Sequence, residues 1–186
     1  MSLIKSISGF RGTIGGKPGD NLTPIDAVKF AAAYGTWLKN QSNQSEYKVI
    51  VGRDARISGQ MVSQLVCSTL QGLAINVVDL GLSTTPTVEV MVTHLHADGG
   101  IILTASHNPK EWNALKLLNA KGELIGLNFD RVWEGTMSDL NYDPEICRNI
   151  MVDSRYILWV VDKYANAQRL IDEMTIVDES KNAKKK

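Results

Sequence analysis

The sequence has few cysteines, no net charge and no long hydrophobic run. Its two cysteines, Cys67 and Cys147, are too few and too far apart for a disulfide scaffold or a zinc cluster. Twenty basic side chains balance twenty acidic ones, so nothing attracts the chain generally to nucleic acid or to acidic membranes. The longest apolar run, residues 156–161, is too short to span a bilayer, and residues 1–9 lack a signal-peptide core. These absences predict a cytoplasmic protein that binds neither nucleic acid nor membrane.

The composition is that of an ordinary globular protein. Of the 186 residues, 44% are hydrophobic and 22% are charged. A chain of this length buries a substantial core and corresponds to one domain, with room for the start of a second.

Helix starts and strands alternate along the first two thirds of the chain. Thr23, Ser58 and Thr85 are each predicted to cap a helix, with a proline following Thr23 and Thr85. The predicted strands are residues 47–51, 75–80, 99–104 and 114–118. This alternation implies right-handed crossovers and an α/β fold: a mixed, largely parallel sheet with helices on both faces.

The helical period also predicts which side chains face the core. The first helix is predicted to end near Asn40 and to share one inner face among five positions: Ile25, Val28, Ala32, Gly35 and Leu38. Residues 155–174 show a helical period again, whereas residues 128–144 have no clear period and are left as helix or loop.

Charged side chains follow the strand that ends at Val51. Residues 52–59 contain Arg53, Asp54 and Arg56 and lead into a predicted helix N-terminus, which suits a phosphate. The alternative is structural, with Asp54 paired to one of the arginines and Ser58 capping the helix.

The loop after the strand at residues 99–104 presents a serine. Pro109 keeps Asn108 out of helical backbone angles, which stiffens a sharp turn and holds Ser106 at its tip. A hydroxyl in this place can act as a nucleophile or carry a phosphoryl group. A hydrolase is poorly supported, because no glycine flanks the serine as in a nucleophile elbow and His107 points away from it in an extended backbone.

Two further cationic positions stand out. Arg11 lies among the four glycines of residues 8–16, where the backbone can approach a ligand closely and a guanidinium can hold phosphate oxygens. Lys116 lies between Leu115 and Leu117 and therefore points to the other face of its strand. The alternatives are a flexible surface hairpin for the glycine segment and a surface lysine on a sheet edge.

Three of these segments, taken in order, resemble the first domain of the α-D-phosphohexomutases, which include phosphoglucomutase, phosphomannomutase and phosphoglucosamine mutase. The segments are residues 9–13 (GFRGT), residues 52–59 (GRDARISG), and residues 104–109 (TASHNP) with residues 112–116 (WNALK). Together they span residues 8 to about 124.

The resemblance implies a role for each matching residue. Ser106 would carry a phosphoryl group that moves between the 1- and 6-positions of a hexose phosphate through a hexose bisphosphate. His107 would assist proton transfer or orient the phosphoserine, while Arg11 and Lys116 would supply positive charge. Contacts to phosphate are expected from five residues in all: Arg11, Gly12, Thr104, Asn108 and Lys116.

The resemblance also implies a cofactor and missing parts. Magnesium would bridge a phosphate oxygen on Ser106 to an aspartate loop of the second domain, and no match to that loop occurs in this chain. We therefore expect residues 1–150 to form the phosphoserine domain and residues 151–186 a lead-in helix of a second domain, with little turnover by the chain alone.

Residues 125–154 depart from the family pattern. Without the other domains, apolar surface near Trp112 would be uncovered, and we expect the chain to associate with copies of itself.

The residues leave a second function class open. A non-catalytic module that binds phosphosugars or phosphate would use the same cationic loops without covalent chemistry. The sequence does not identify the hexose, because substrate choice in the family resides in other domains.

Overall fold

A computed structural model describes residues 2–6 and 8–126. In chain order the strands and helices are β1 (Ile4–Ser6), β2 (Gly9–Thr13), α1 (Pro24–Lys39), β3 (Lys48–Arg53), α2 (Gly59–Gly72), β4 (Asn76–Leu82), α3 (Thr85–His94), β5 (Gly99–Leu103), β6 (Trp112–Leu118) and β7 (Leu124–Ile125). All four predicted strands are present. None of the described helices is long and apolar enough to cross a membrane. The predictions for residues 128–144 and 155–174, and the boundary at 150/151, lie outside the described residues.

The strands form one mixed sheet in the order β1-β2-β6-β5-β3-β4, with β7 beside β6. The pairs β3–β4 and β3–β5 are parallel, as the strand–helix–strand pattern predicts. The pairs β1–β2, β2–β6, β5–β6 and β6–β7 are antiparallel. The mixed α/β fold is therefore confirmed, but the parallel part is smaller than expected, because β6 turns back beside β5 and β2 then pairs with β6.

Helices cover both faces of the sheet, as predicted. Helices α1 and α2 pack on the face that carries Phe10, Val51 and Leu115 in the main core, where the Phe10 and Phe30 rings stack with centroids 4.2 Å apart. Helix α3 packs on the other face. A Cβ added at Gly52 would come within 2.5 Å of Val88, so the bare backbone there admits the helix.

The helix starts are largely as predicted, with two corrections. Thr23 and Asp26 form a capping box at α1. The cap of α3 is Thr84, one residue before the predicted Thr85, and its side chain accepts from the Thr87 amide. Ser58 occupies the N-cap position of α2 but makes no capping bond; its backbone is in the αR region rather than extended, and its hydroxyl accepts a hydrogen bond from the Asn113 side chain.

The predicted inner face of α1 is wrong at two positions. Ile25 and Val28 are 53% and 37% exposed. The buried stripe instead carries the two aromatic residues Phe30 and Tyr34. The small residues along α1 allow two apolar stripes, and the stripe with the larger side chains buries more apolar area.

The loops that follow β3 and β5 meet at one edge of the sheet. The two strands are parallel, with Arg53 beside Leu103, so their carboxyl ends coincide. The antiparallel strand β6 begins at the same edge, because Leu103 pairs with Leu115. This edge therefore gathers residues 54–58, residues 104–111 and the first residues of β6.

Gly9 sets the approach of β2 to β6 beside Lys116. Its φ is +104°, and an added Cβ would lie 2.2 Å from the Leu115 carbonyl oxygen and 2.9 Å from the Lys116 Cα. Gly15 also has positive φ, +89°, but an added Cβ there would meet nothing within 4 Å. Both glycines thus have a φ that would strain a residue with a side chain, and they differ in the space around them.

We expect Gly9→Ala to lower the free energy of unfolding by about 3 kcal/mol, because strained backbone and overpacking add. Gly15→Ala should cost about 1 kcal/mol, from the positive φ alone. Urea unfolding followed by circular dichroism measures both changes. Equal losses in the two variants would show that the contact between Gly9 and β6 does not matter.

Candidate active site

Ser106 lies exposed at the tip of the loop that follows β5. Its φ is +53°, a left-handed conformation that is uncommon for a residue with a side chain and costs roughly 1–2 kcal/mol. The turn around it is closed by the Asn108 amide, which donates to the Ala105 carbonyl at 3.0 Å. The hydroxyl is therefore presented to solvent at a strand end, as the sequence predicted, but on a left-handed rather than an extended backbone.

Lys116 reaches the serine from the neighbouring strand. Its ammonium nitrogen Nζ donates to Ser106 Oγ at 2.9 Å. Lys116 is half-buried between two buried leucines, Leu115 and Leu117, and so projects from the opposite face of β6. The sequence therefore predicted the direction of Lys116 correctly, and the structure adds its contact with Ser106.

Arg11 shares the sheet face of Lys116. It pairs with Ala114, which lies two residues before Lys116 on β6, so the two cations are diagonal neighbours across the β2–β6 pair. The Arg11 Nε is buried and donates to no acceptor among the described residues. A buried donor without an acceptor is unusual and commonly marks a place where an anion or water binds.

Gly12 lies on the other face of β2 and does not accompany Arg11. An added Cβ at Gly12 would stand 3.0 Å from the Leu22 nitrogen, so packing against Leu22 explains the need for glycine here. The contact between Gly12 and phosphate stays a prediction, and it would have to be made by the Gly12 backbone.

The other predicted residues surround the serine in different ways. Thr104 is buried, and its hydroxyl donates to Asp54 Oδ2 at 2.6 Å while accepting from the Ser106 amide at 3.1 Å. The side-chain oxygen of Asn108 is buried and accepts no hydrogen bond among the described residues. His107 is exposed next to Ser106. Thr104 therefore holds the loop, while His107 remains accessible to a ligand.

The charged loop after β3 is paired internally, which was the alternative interpretation from the sequence. Arg56 forms an ion pair with Asp54 at 3.1 Å, and the Arg56 side chain is 11% exposed. Arg56 also donates to the Ser106 and Asn108 carbonyls, so it anchors the loop that presents Ser106 (the serine loop, residues 104–111) and is not an open phosphate site. The sequence indicated the pairing with Asp54, but it carried no signal for these contacts with the serine loop.

The described residues do not by themselves fit a magnesium site. The side chain in contact with Ser106 Oγ is an ammonium, not a carboxylate. Within residues 2–6 and 8–126, no three His, Cys, Asp or Glu side chains come together as metal ligands would. The magnesium expected from the family resemblance stays a prediction for the longer protein.

The last part of the chain is similar to a different family. A peptidase S46 family model matches residues 116–176. An Asp/Glu-specific dipeptidyl-peptidase of Flavobacterium psychrophilum is 66% identical over 64 residues, which cover 34% of this chain and 9% of that protein. The match begins after Ser106 and therefore concerns none of the serine loop. It overlaps the part of the sequence, residues 125–154, that departs from the phosphohexomutase pattern.

The first part of the chain is similar to phosphohexomutases. A phosphoglucomutase/phosphomannomutase of Thermococcus kodakarensis is 37% identical over 139 residues, covering 74% of this chain and 29% of that protein. A phosphoglucosamine mutase of Nautilia profundicola is 29% identical over 175 residues, covering 90% of this chain and 39% of that protein. This chain therefore spans well under half the length of these two relatives.

A solved structure and a family model support the same family as these relatives. A solved protein of Thermus thermophilus, described as a phosphomannomutase, superposes with a TM-score of 0.61 at 30% identity, covering 73% of this chain and 30% of that one. The family model described as phosphoglucomutase/phosphomannomutase, alpha/beta/alpha domain I, matches residues 3–138. The chain therefore belongs to the phosphoglucomutase/phosphomannomutase family, through the first domain of that family.

Proposed function

We propose that Ser106 carries a phosphoryl group and that the domain serves a phosphohexomutase, which moves phosphate between the 1- and 6-positions of a hexose phosphate through a bisphosphate. The contact between Lys116 Nζ and the exposed Ser106 Oγ, 2.9 Å long, carries this proposal. The contact places a fixed positive charge beside a solvent-exposed nucleophile.

The charge of Lys116 favours both the attacking serine and the phosphorylated serine. An ammonium at hydrogen-bond distance stabilises negative charge that develops on Oγ, and it also stabilises a phosphate attached there. Because β6 is paired with β2 on one side and with β5 on the other, the backbone that carries Lys116 is fixed and the charge is in place before the ligand arrives. Such preorganisation is the main source of catalysis in phosphoryl transfer.

Arg11 supplies a second cation on the same sheet face. Its buried Nε lacks an acceptor among the described residues, and a phosphate oxygen would provide one. A guanidinium can hold two oxygens of one phosphate as a planar fork. Lys116 and Arg11 together would balance the charge of a phosphate dianion.

The proposed loading step forms one bond and breaks one. Ser106 Oγ attacks a phosphorus of a hexose bisphosphate, the new P–Oγ bond forms, and the bond from phosphorus to the sugar oxygen breaks. The serine proton passes to a base, for which we propose His107, and the departing sugar oxygen takes up a proton. In the reverse direction a sugar hydroxyl attacks the phosphoserine, and the electron pair of the P–Oγ bond returns to Ser106.

Intact-protein mass spectrometry after incubation with glucose 1,6-bisphosphate tests this function. We expect a gain of one phosphoryl group, mapped to Ser106 by fragmentation. We also expect no measurable mutase turnover from the 186-residue chain, which spans 29% and 39% of two mutase relatives. A chain that stays unmodified contradicts the proposal, and full turnover contradicts the second expectation.

A non-catalytic module is the second candidate, favoured by the same buried Arg11 donor. It would bind glucose 1,6-bisphosphate without gaining mass. The peptidase similarity reaches only 9% of the length of the Flavobacterium relative, and we propose no peptidase activity from it.

A further inference from the structure

The Arg56 guanidinium is fully occupied, and three of its five donor contacts go to the loop that presents Ser106. Its Nη2 donates to the carbonyl oxygens of Ser106 and Asn108 at 2.8 and 2.9 Å. Its Nη1 donates to those of Pro109 and Trp112 at 2.7 and 2.9 Å. Nε donates to Asp54 Oδ2 at 3.1 Å. A guanidinium has five N–H groups, and all five are used within this chain.

The partner of Arg56 holds the other side of the serine. Asp54 Oδ2 accepts hydrogen bonds from Arg56 Nε and from the Thr104 hydroxyl. The Thr104 hydroxyl in turn accepts a hydrogen bond from the Ser106 amide at 3.1 Å. The N–H of Ser106 is thus fixed through Thr104 and Asp54, and its C=O is fixed directly by Arg56.

Fixing both peptide groups of Ser106 explains how its left-handed backbone, with φ of +53°, persists. Strained residues of this kind survive where surrounding bonds determine their conformation. The same bonds turn three carbonyl oxygens of the loop, those of Ser106, Asn108 and Pro109, towards Arg56. Because those oxygens are partly negative, occupying them with a cation removes acceptors that would repel a phosphate on the serine.

We propose that Arg56 is a positioning residue for phosphoryl transfer: it holds Ser106 Oγ against Lys116 without itself binding the sugar phosphate. This inference rests on the proposed function. It departs from the simplest interpretation of residues 52–59, in which both arginines face a phosphate. With no N–H left, Arg56 has none to give a ligand unless the loop comes apart.

Arg56→Lys is the sharpest variant, because it keeps the charge but replaces a five-donor fork by an ammonium with three donors. Lys39→Arg is the control, because it exchanges the same two cationic side chains at the opposite edge of the sheet, where Lys39 Nζ donates to the Leu73 carbonyl at 3.0 Å. Single-turnover phosphorylation of Ser106 by glucose 1,6-bisphosphate is followed by mass spectrometry over a range of bisphosphate concentrations, at a temperature where circular dichroism shows each variant folded.

We expect Arg56→Lys to lower the maximal rate constant about 100-fold, since a small misplacement of a reacting atom has effects of this size. The half-saturating bisphosphate concentration should change by less than about twofold, because ground-state binding is untouched. Lys39→Arg should match the wild type in both quantities. This separation of rate from binding is not expected from a general loss of stability.

The outcomes distinguish the inference from the function on which it rests. An unmodified wild-type chain overturns both. A phosphorylated wild type with Arg56→Lys reacting at the same rate overturns the positioning role alone, as does a variant whose loss is entirely in half-saturation. If Arg56→Lys does not fold, Asp54→Asn is measured in its place. We expect Asp54→Asn to lower the rate constant with unchanged half-saturation, and a wild-type rate would overturn the inference.

Discussion

Replacing Ser106 with alanine is expected to abolish uptake of a phosphoryl group from glucose 1,6-bisphosphate. Ser106 provides the exposed hydroxyl that touches Lys116 Nζ. The neighbouring hydroxyl of Thr104 is buried and already engaged with Asp54 and with the Ser106 amide, so it does not substitute. Intact mass spectrometry should show no gain in Ser106→Ala at times when the wild type is fully modified.

The fold should tolerate this change. Alanine and serine pay a similar cost in the left-handed region, and Ser106 contributes no buried side chain. Ser45→Ala is the matched control, since Ser45 is exposed in the loop between α1 and β3, at the opposite edge of the sheet. A phosphoryl group on Ser106→Ala at the wild-type rate would place the nucleophile elsewhere, and loss of uptake in Ser45→Ala would show that the assay reports folding.

Lys116→Met is expected to slow phosphorylation of Ser106 by about 100- to 1,000-fold, the range for losing one donor that stabilises charge in a transition state. Methionine keeps a long unbranched stem on the same face of β6 but removes the ammonium that lies 2.9 Å from Oγ. The rate constant is measured by rapid quench and mass spectrometry at saturating bisphosphate.

Lys121→Met is the control for Lys116→Met. Lys121 is exposed in the turn that links β6 to β7, and its backbone amide, not its ammonium, donates to Asn119. It should react at the wild-type rate. A loss of less than about threefold in Lys116→Met would mean that its contact with the serine contributes little to the transition state.

The central part of the fold follows from local patterns, whereas the sheet order does not. The β-branched runs and helix caps from residue 23 to residue 104 predict a parallel unit, and β3, β4 and β5 are parallel as expected. The pairing of β2 with β6 joins strands that lie far apart in sequence. No period within either strand encodes such a partner, so the antiparallel share of the sheet was underestimated.

The site was predictable where a single residue fixes the backbone. Pro109 indicated a stiff turn, and Ser106 is indeed at its exposed tip. The alternation in β6 predicted the direction of Lys116. The left-handed backbone of Ser106 and the five hydrogen bonds of Arg56 depend on atoms from three separate segments. Neither a serine nor an arginine in the sequence indicates such a role by itself.

A phosphate on Ser106 is expected to lie against Lys116 and Arg11, and ³¹P NMR of the phosphorylated chain through a pH titration tests this placement most directly. Neighbouring positive charge favours the dianion, so the second pKa of the phosphoserine should fall below its usual value of about 6. It should rise back towards that value in Lys116→Met. A wild-type pKa at or above about 6, unchanged by Lys116→Met, would contradict the placement.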